Sequence, residues 1–370
     1  MRGSRGFFLL TMFLLLALLS PLPVKADSNL EIQSIKVTQT QVEGSRGAAL
    51  AVGSDGTLYL GGGEKGATLF RFFDGTLEPI GRISTQRERL RDLRFGPTDV
   101  AILGEDASGI DFLISYPQLG PSRNCVRLVV YRYRYESTST TPFRKKERWF
   151  QGTPCVPVGA VQHAAGRIEV IDQDSAYLTT GDLGFRSIDD RKKRGTLGGV
   201  FKISRTKVEQ LSQGHRNPQG ILLIGKNLYI SEHGPRGGDE INLIEPGKDY
   251  GWPDVTYGAP YGPGDYIKPG ISGSHEGFTK PLITWVPSVA PTELVQIPSD
   301  RQWGDMKDQV VMGTLIEESL IFLELTSKRR IKEVRREYIG ERIRDLEIGT
   351  DGALVASTDS GKLLFITRKG

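Results

Sequence analysis

One short unit recurs along this chain, a polar turn leading into a strand of three apolar residues. Asp55-Gly56 precedes Leu58-Tyr59-Leu60, Asp172 to Asp174 precede Ala176-Tyr177-Leu178, Gly225-Lys226-Asn227 precedes Leu228-Tyr229-Ile230, and Asp351-Gly352 precedes Leu354-Val355-Ala356. Long helical periodicity is scarce, and Gly, Asp, Asn and Pro punctuate short strands throughout. Radially repeated sheets produce self-similarity of this kind, which favours an all-β propeller over a two-sheet sandwich. The spacing is irregular, so the repeats leave the number of blades open.

The chain begins with export signals. Arg2 and Arg5 precede an apolar run from Phe7 to Leu19, broken only by Thr11, and Val24-Lys25-Ala26 offers small residues for cleavage. The run is shorter than the ~20 residues of a membrane-spanning helix. Residues 1–26 therefore read as a signal peptide, which implies a secreted or periplasmic protein with no stable membrane span after processing. Residues 27–370 read as one domain, long for a simple core but suited to a closed, repetitive β architecture.

Removing the leader deletes Arg2, Arg5 and Lys25, so 48 − 3 = 45 cations face 44 acids, a net charge of +1. That balance gives no case for nucleic acid. The two cysteines, Cys125 and Cys155, stand thirty positions apart. In an exported chain a disulfide is favoured over two separate thiols. Closing such a loop stabilises a fold by roughly 3 to 4 kcal/mol, and the spacing is far from the Cys-x-x-Cys of a redox site.

Chemistry concentrates in three blocks: GHRNPQG at 214–220, EHGPRGGDEIN at 232–242 and GKDYGWP at 247–253. The tract from Gly234 to Gly277 is dense in Gly and Pro yet carries Tyr250, Trp252, Tyr257, Tyr261 and Tyr266. A loop this long in a compact fold is functional or disordered, and its aromatic content argues against disorder.

In order, spacing and wording these blocks resemble the soluble quinoprotein sugar dehydrogenases, the glucose/sorbosone dehydrogenase family. His163-Ala164-Ala165-Gly166-Arg167-Ile168 with Thr180-Gly181-Asp182 is similar to the family's histidine block, and Arg342-Ile343-Arg344-Asp345 to its C-terminal arginine block. The likeness runs from about residue 160 to 370 and is faint over 27–159.

The resemblance implies a six-bladed β-propeller that holds pyrroloquinoline quinone with calcium and oxidises the C1 hydroxyl of an aldose to a lactone. Electrons would pass to an acceptor that the sequence does not identify. The cofactor carries three carboxylates, which arginine binds in bidentate fashion. By resemblance Arg216, Asn217, Arg342 and Arg344 contact it. Arg342 and Arg344 are one residue apart, so on a strand both side chains point to the same face. His163 matches the general base, its pKa near neutrality suiting it to accept a sugar hydroxyl proton. Arg216 joins it as a catalytic candidate.

Gly234 and Pro235 match residues that offer backbone carbonyls to calcium, an ion that tolerates irregular oxygen sites. Glu240 and Tyr250 match a second, structural calcium site. His215 reads as packing support for Arg216, and Trp252 as packing beneath a blade. The spacing of His163, His215 and His233 fits no familiar zinc motif.

Three departures bear on the enzyme reading. Ile316 stands where the family offers a lysine to the cofactor, Gln162 stands where some members place an aspartate before the base, and the family's early Gly-Leu-Leu-Gly block is not recognisable. Two other readings follow from them: a propeller that binds a glycan or protein partner through a degenerate site, and a metal-dependent lactonase on the same fold.

Overall fold

A computed structural model describes residues 29–370 apart from positions 161, 162, 264 and 300. The segment read as a signal peptide lies outside the described residues. Six blade sheets follow one another along the chain, antiparallel except where Lys248–Asp249 adds a short parallel pairing to blade 3. Blade 1 comprises Ala49–Val52, Leu58–Gly62, Thr68–Phe73 and Thr76–Arg82. Blade 2 begins at Asp99–Asp106, blade 3 at Ala165–Asp172, blade 4 at Pro218–Ile224, blade 5 at Pro291–Gln296 and blade 6 at Ile343–Ile348. Each of these first strands touches the first strand of the next blade, and that of blade 6 touches that of blade 1, which closes a ring. Leu30–Lys36 supplies the outermost strand of blade 6, pairing antiparallel with Lys362–Arg368, so the two ends of the described chain lock the ring. The architecture is a six-bladed β-propeller.

Strand alternation explains the recurring unit. All four copies form the second strand of their blade, and alternate residues face opposite neighbours. Leu58 and Leu60 enter the apolar layer between blades 6 and 1, whereas Tyr59 enters the layer between 1 and 2. Leu228 and Ile230 pack between blades 3 and 4, and Tyr229 between 4 and 5. Leu354 and Ala356 pack between 5 and 6, Val355 between 6 and 1. The core is thus six layers between blades, and a strand buried on both faces reads as continuously apolar.

The axis is polar, and it joins blades by charge. Asp99, Glu293 and Asp345, all on first strands, accept backbone N–H bonds across blade boundaries from Ile168 (2.6 Å), Ile221 (2.7 Å) and Leu50 (2.8 Å). Arg167 lies among them, its Nη1 2.8 Å from Asp345, 3.3 Å from Glu293 and 3.6 Å from Asp99. Its Nε donates to the Gln219 carbonyl at 2.8 Å. One buried guanidinium therefore ties the first strands of blades 2 to 6. Cys125 and Cys155 are disulfide-bonded at the edge of blade 2, with their Cα atoms 5.4 Å apart.

Candidate active site

Arg167 and Asp345 floor a cavity at one mouth of the axis, with a volume of about 740 Å³ counting space open to solvent. Its walls include Arg46, His163, Asn217, Gln219, His233 and Arg344. These residues come from the turns and strand ends of several blades.

His163 precedes the first strand of blade 3 in the left-handed region, φ 49°, a conformation that non-glycine residues adopt at a cost and that concentrates at functional sites. The turn is shaped by Gly181, where any Cβ would lie 1.8 Å from the His163 carbonyl oxygen. His163 Nδ1 is 2.9 Å from Asp182 Oδ1, and Nε2 is 3.2 Å from Arg216 Nη2. A guanidinium only donates, so Nε2 is the acceptor and Nδ1 carries the proton donated to Asp182. The ring is thereby fixed in the tautomer whose basic nitrogen is Nε2.

Asp182 is fully buried and its carboxylate is saturated with donors. Oδ1 accepts from His163 and from the Gly184 N–H at 2.8 Å, and Oδ2 accepts from Trp252 Nε1 at 2.8 Å and from the Tyr266 hydroxyl. Burial alone would raise its pKa, but the imidazole, Arg216 and Tyr266 outweigh it and hold the group below the ordinary range. Burial, reinforced by the Arg216 cation and only partly opposed by Asp182, pushes His163 below its usual value. The ring stays neutral near pH 7 and so retains a lone pair for a proton.

Arg216 lies between Val208–Gln213, the fourth strand of blade 3, and the first strand of blade 4, and is 4 % exposed. Its Nη1 donates to the Gly234 carbonyl at 2.6 Å, and its backbone N–H to Glu232 Oε2 at 2.9 Å. The guanidinium lies 5.4 Å from the Trp252 ring and 5.8 Å from that of Tyr261. Its Nε is buried without a hydrogen-bond partner among the described residues. Trp252, read as packing, in fact also supports both Asp182 and Arg216.

Arg344 lines the cavity, whereas Arg342, expected beside it, is nearly half exposed and is not among the lining residues. Both reach Asp359: Arg344 through Nε and Nη2 at 2.9 Å each, Arg342 through Nε at 3.0 Å. Arg342 also donates to the Leu315 carbonyl at 3.1 Å. Ile316 is 59 % exposed and does not line the cavity. Gln162 lies outside the described residues.

The residues expected at metal positions are engaged within the protein. Glu240 Oε1 pairs with His275 Nε2 at 2.8 Å, and its Oε2 accepts from Asn242 at 3.1 Å. The Tyr250 hydroxyl donates to the Leu243 carbonyl. Gly234 and Pro235 are buried, and the Gly234 carbonyl receives Arg216. His215 pairs with Glu232 (2.8 Å) and Ser212 (2.9 Å), and His233 Nε2 donates to the Pro291 carbonyl at 2.6 Å. The three histidines thus have separate partners, and no group of three His, Cys, Asp or Glu side chains suits a metal among the described residues.

Four residues of this site were given no role from sequence: Asp182, Arg167, Tyr266 and Arg46. The first two lie inside the quoted histidine block, and Tyr266 inside the aromatic tract. Arg46 lies in the stretch where the family likeness is faint.

Fold and site together define a six-bladed propeller with an arginine-rich cup and an imidazole–carboxylate pair at its mouth. The chain belongs to the glucose/sorbosone dehydrogenase family of sugar-oxidising oxidoreductases, whose model matches residues 95–365. It is 29 % identical over 294 residues to the aldose sugar dehydrogenase YliI of Escherichia coli, covering 74 % of this chain and 77 % of that protein. An uncharacterized protein of Synechocystis sp. is 35 % identical over 231 residues, so the chain spans about half the length of that relative, 55 % of each protein. Among solved structures, the apo form of the soluble E. coli aldose sugar dehydrogenase shares the fold with TM-score 0.76 and 24 % identity, over 92 % of this chain and 100 % of that one. The PQQ-bound aldose sugar dehydrogenase of Streptomyces coelicolor superposes with TM-score 0.66 and 21 % identity, over 92 % and 98 %.

Proposed function

We propose that this protein oxidises the C1 hydroxyl of an aldose to the lactone, using pyrroloquinoline quinone and passing the electrons to an external acceptor. The observation that carries this reading is His163, whose basic Nε2 lies at an arginine-lined cavity while Asp182 holds Nδ1. The donor set suits a polycarboxylate, with Arg344, Asn217 and Arg46 lining the cup and Arg216 adjoining it through its 3.2 Å contact with His163. When bound, the quinone supplies a two-electron acceptor for the hydride leaving C1.

The chain's own residues do the rest. His163 Nε2 accepts the proton of the sugar hydroxyl, and the loose 3.2 Å contact from Arg216 yields to that hydroxyl. Asp182 then faces an imidazolium across a 2.9 Å bond and balances its charge without taking the proton. Arg342, outside the cavity lining, keeps Arg344 aimed by sharing Asp359 with it. Calcium belongs to this reading at the Gly234 and Pro235 carbonyls, since a carbonyl oxygen has two lone pairs and Arg216 takes one at Gly234. The reading does not extend calcium to Glu240 and Tyr250, whose side-chain oxygens are already paired. The leader at residues 1–26 supports secretion or a periplasmic location, and no helix of the described residues is long and apolar enough to cross a membrane.

The imidazole–carboxylate pair favours catalysis over a propeller that only binds a glycan or a protein. Purified protein reconstituted with quinone and calcium should reduce an artificial dye in the presence of aldoses, with a quinone-dependent absorbance change. Absence of both turnover and that change rejects the proposal.

A further inference from the structure

Three of the four arginines that line the cavity are paired with carboxylates. Arg167 is matched by Asp345, Glu293 and Asp99, Arg344 by Asp359, and Arg94 by Asp92 at 2.6 Å. Arg46 differs. It stands on the turn entering blade 1, and its Nη1 and Nη2 donate to the backbone carbonyls of Leu93 (3.2 Å) and Pro97. No carboxylate lies within ion-pair distance of it among the described residues, and its Nε is buried with no partner. Burial first, then the adjacent Arg344 and Arg167 cations, outweigh the more favourable Asp359 and Asp345 and push the guanidinium down to about 9. Arg46 is only partly buried, and a charge partly removed from water with no carboxylate beside it carries a cost that an arriving anion recovers.

We propose that Arg46 is an anion-binding residue of the cup, completing with Arg344 and Asn217 a seat for a carboxylate group of the bound cofactor. The inference rests on the quinoprotein reading and adds to it a residue from the half of the chain where the family likeness is faint. Two carbonyl anchors fix the guanidinium plane, so its fork is set before a ligand arrives. A planar carboxylate matches such a fork better than a point anion does.

Calorimetric titration of pyrroloquinoline quinone into the apo protein tests this, with Arg46→Met and Arg46→Lys beside wild type. Arg46→Met should weaken binding about ten- to a hundred-fold, the weight of one charge-assisted contact, and Arg46→Lys by less. The melting temperature of apo Arg46→Met should equal or exceed that of wild type, because the substitution removes a desolvated charge. If it falls, Arg46→Gln, which keeps donors for the two carbonyls without the charge, must show the same loss of affinity. Citrate, a tricarboxylate, is the independent probe and should raise the melting temperature of wild type more than that of Arg46→Met. Equal quinone affinity in wild type and the uncharged variants overturns the role of Arg46 and leaves the quinoprotein reading intact. Failure of wild type to bind quinone, with an Arg46-dependent citrate shift, overturns that reading and leaves the anion site. No response to either ligand overturns both.

Discussion

The Tyr266 hydroxyl donates to the same Asp182 oxygen that receives Trp252 Nε1, and it lies 3.5 Å from His163 Nδ1. A residue from the aromatic tract thus closes over the buried carboxylate that orients the imidazole. Its ring centroid is 5.6 Å from that of His163. The long loop is therefore part of the site's positioning shell, and its aromatic content is explained by what it packs upon.

Tyr266→Phe should leave the fold intact and lower kcat about ten- to a hundred-fold, the loss of one hydrogen bond to a charged group. Steady-state kinetics on reconstituted protein, with circular dichroism as the control, measure it. Unchanged kcat would show that the hydroxyl does not help to hold Asp182.

Asp182→Asn should lower the plateau of kcat/KM by about 10²- to 10⁴-fold, the range spanned by general-base catalysis. The pH profile distinguishes orientation from simple damage. Asp182 works against the burial and the Arg216 charge that depress His163, so removing its charge depresses the imidazole further. The base acts when neutral, so the acid limb of the profile should move to lower pH while the plateau falls. A limb that moves up would contradict the arrangement.

Glu169 faces the polar axis beyond Arg167, where burial, aided by the Asp99 charge, raises it to about 7. A carboxyl raised in the folded state binds more protons there than in the unfolded chain, so stability falls as pH rises from about 4.5 to about 7. Glu169→Gln should accordingly raise the melting temperature at pH 8 and change it little at pH 4. Each kcal/mol relieved corresponds to about 2–4 °C in a protein of this size. Scanning calorimetry at the two pH values decides it, and a variant less stable at pH 8 contradicts it.

Arg167→Met leaves Asp345, Glu293 and Asp99 around an empty charge centre, which should cost about 3–5 kcal/mol. Adding Glu293→Gln should return part of that loss, because the two sites share one network. Urea unfolding of the single and double variants measures the coupling. Strict additivity would mean that Arg167 does not act as the counterion.

Replacing Cys125 and Cys155 together by Ser should cost about 3 to 4 kcal/mol in unfolding free energy, as expected for a 30-residue separation. Wild type unfolded in reductant should match the variant. A variant as stable as the oxidised protein would place the stabilisation of blade 2 elsewhere.

Four blades announced themselves in the sequence because their second strands carry a simple apolar triplet after a polar turn. The other two were hidden: Phe112, Leu113 and Ile114 sit within a strand of 11 residues, and Val310, Val311 and Met312 follow Asp308-Gln309 without a glycine turn. They alternate between neighbouring blades as the others do. Residue order determined the class of fold, because alternation is a property of neighbours along a strand. It also set aside His163, Arg216, Asn217 and Arg344 through local wording. Tertiary structure alone decided that Asp182 fixes the imidazole, that Arg167 ties five blades at the axis and that Arg46 has no ion-pair partner among the described residues. Those relationships join residues up to 178 positions apart in sequence, as Arg167 and Asp345 are, and only closure of the ring brings their charges within reach of one another.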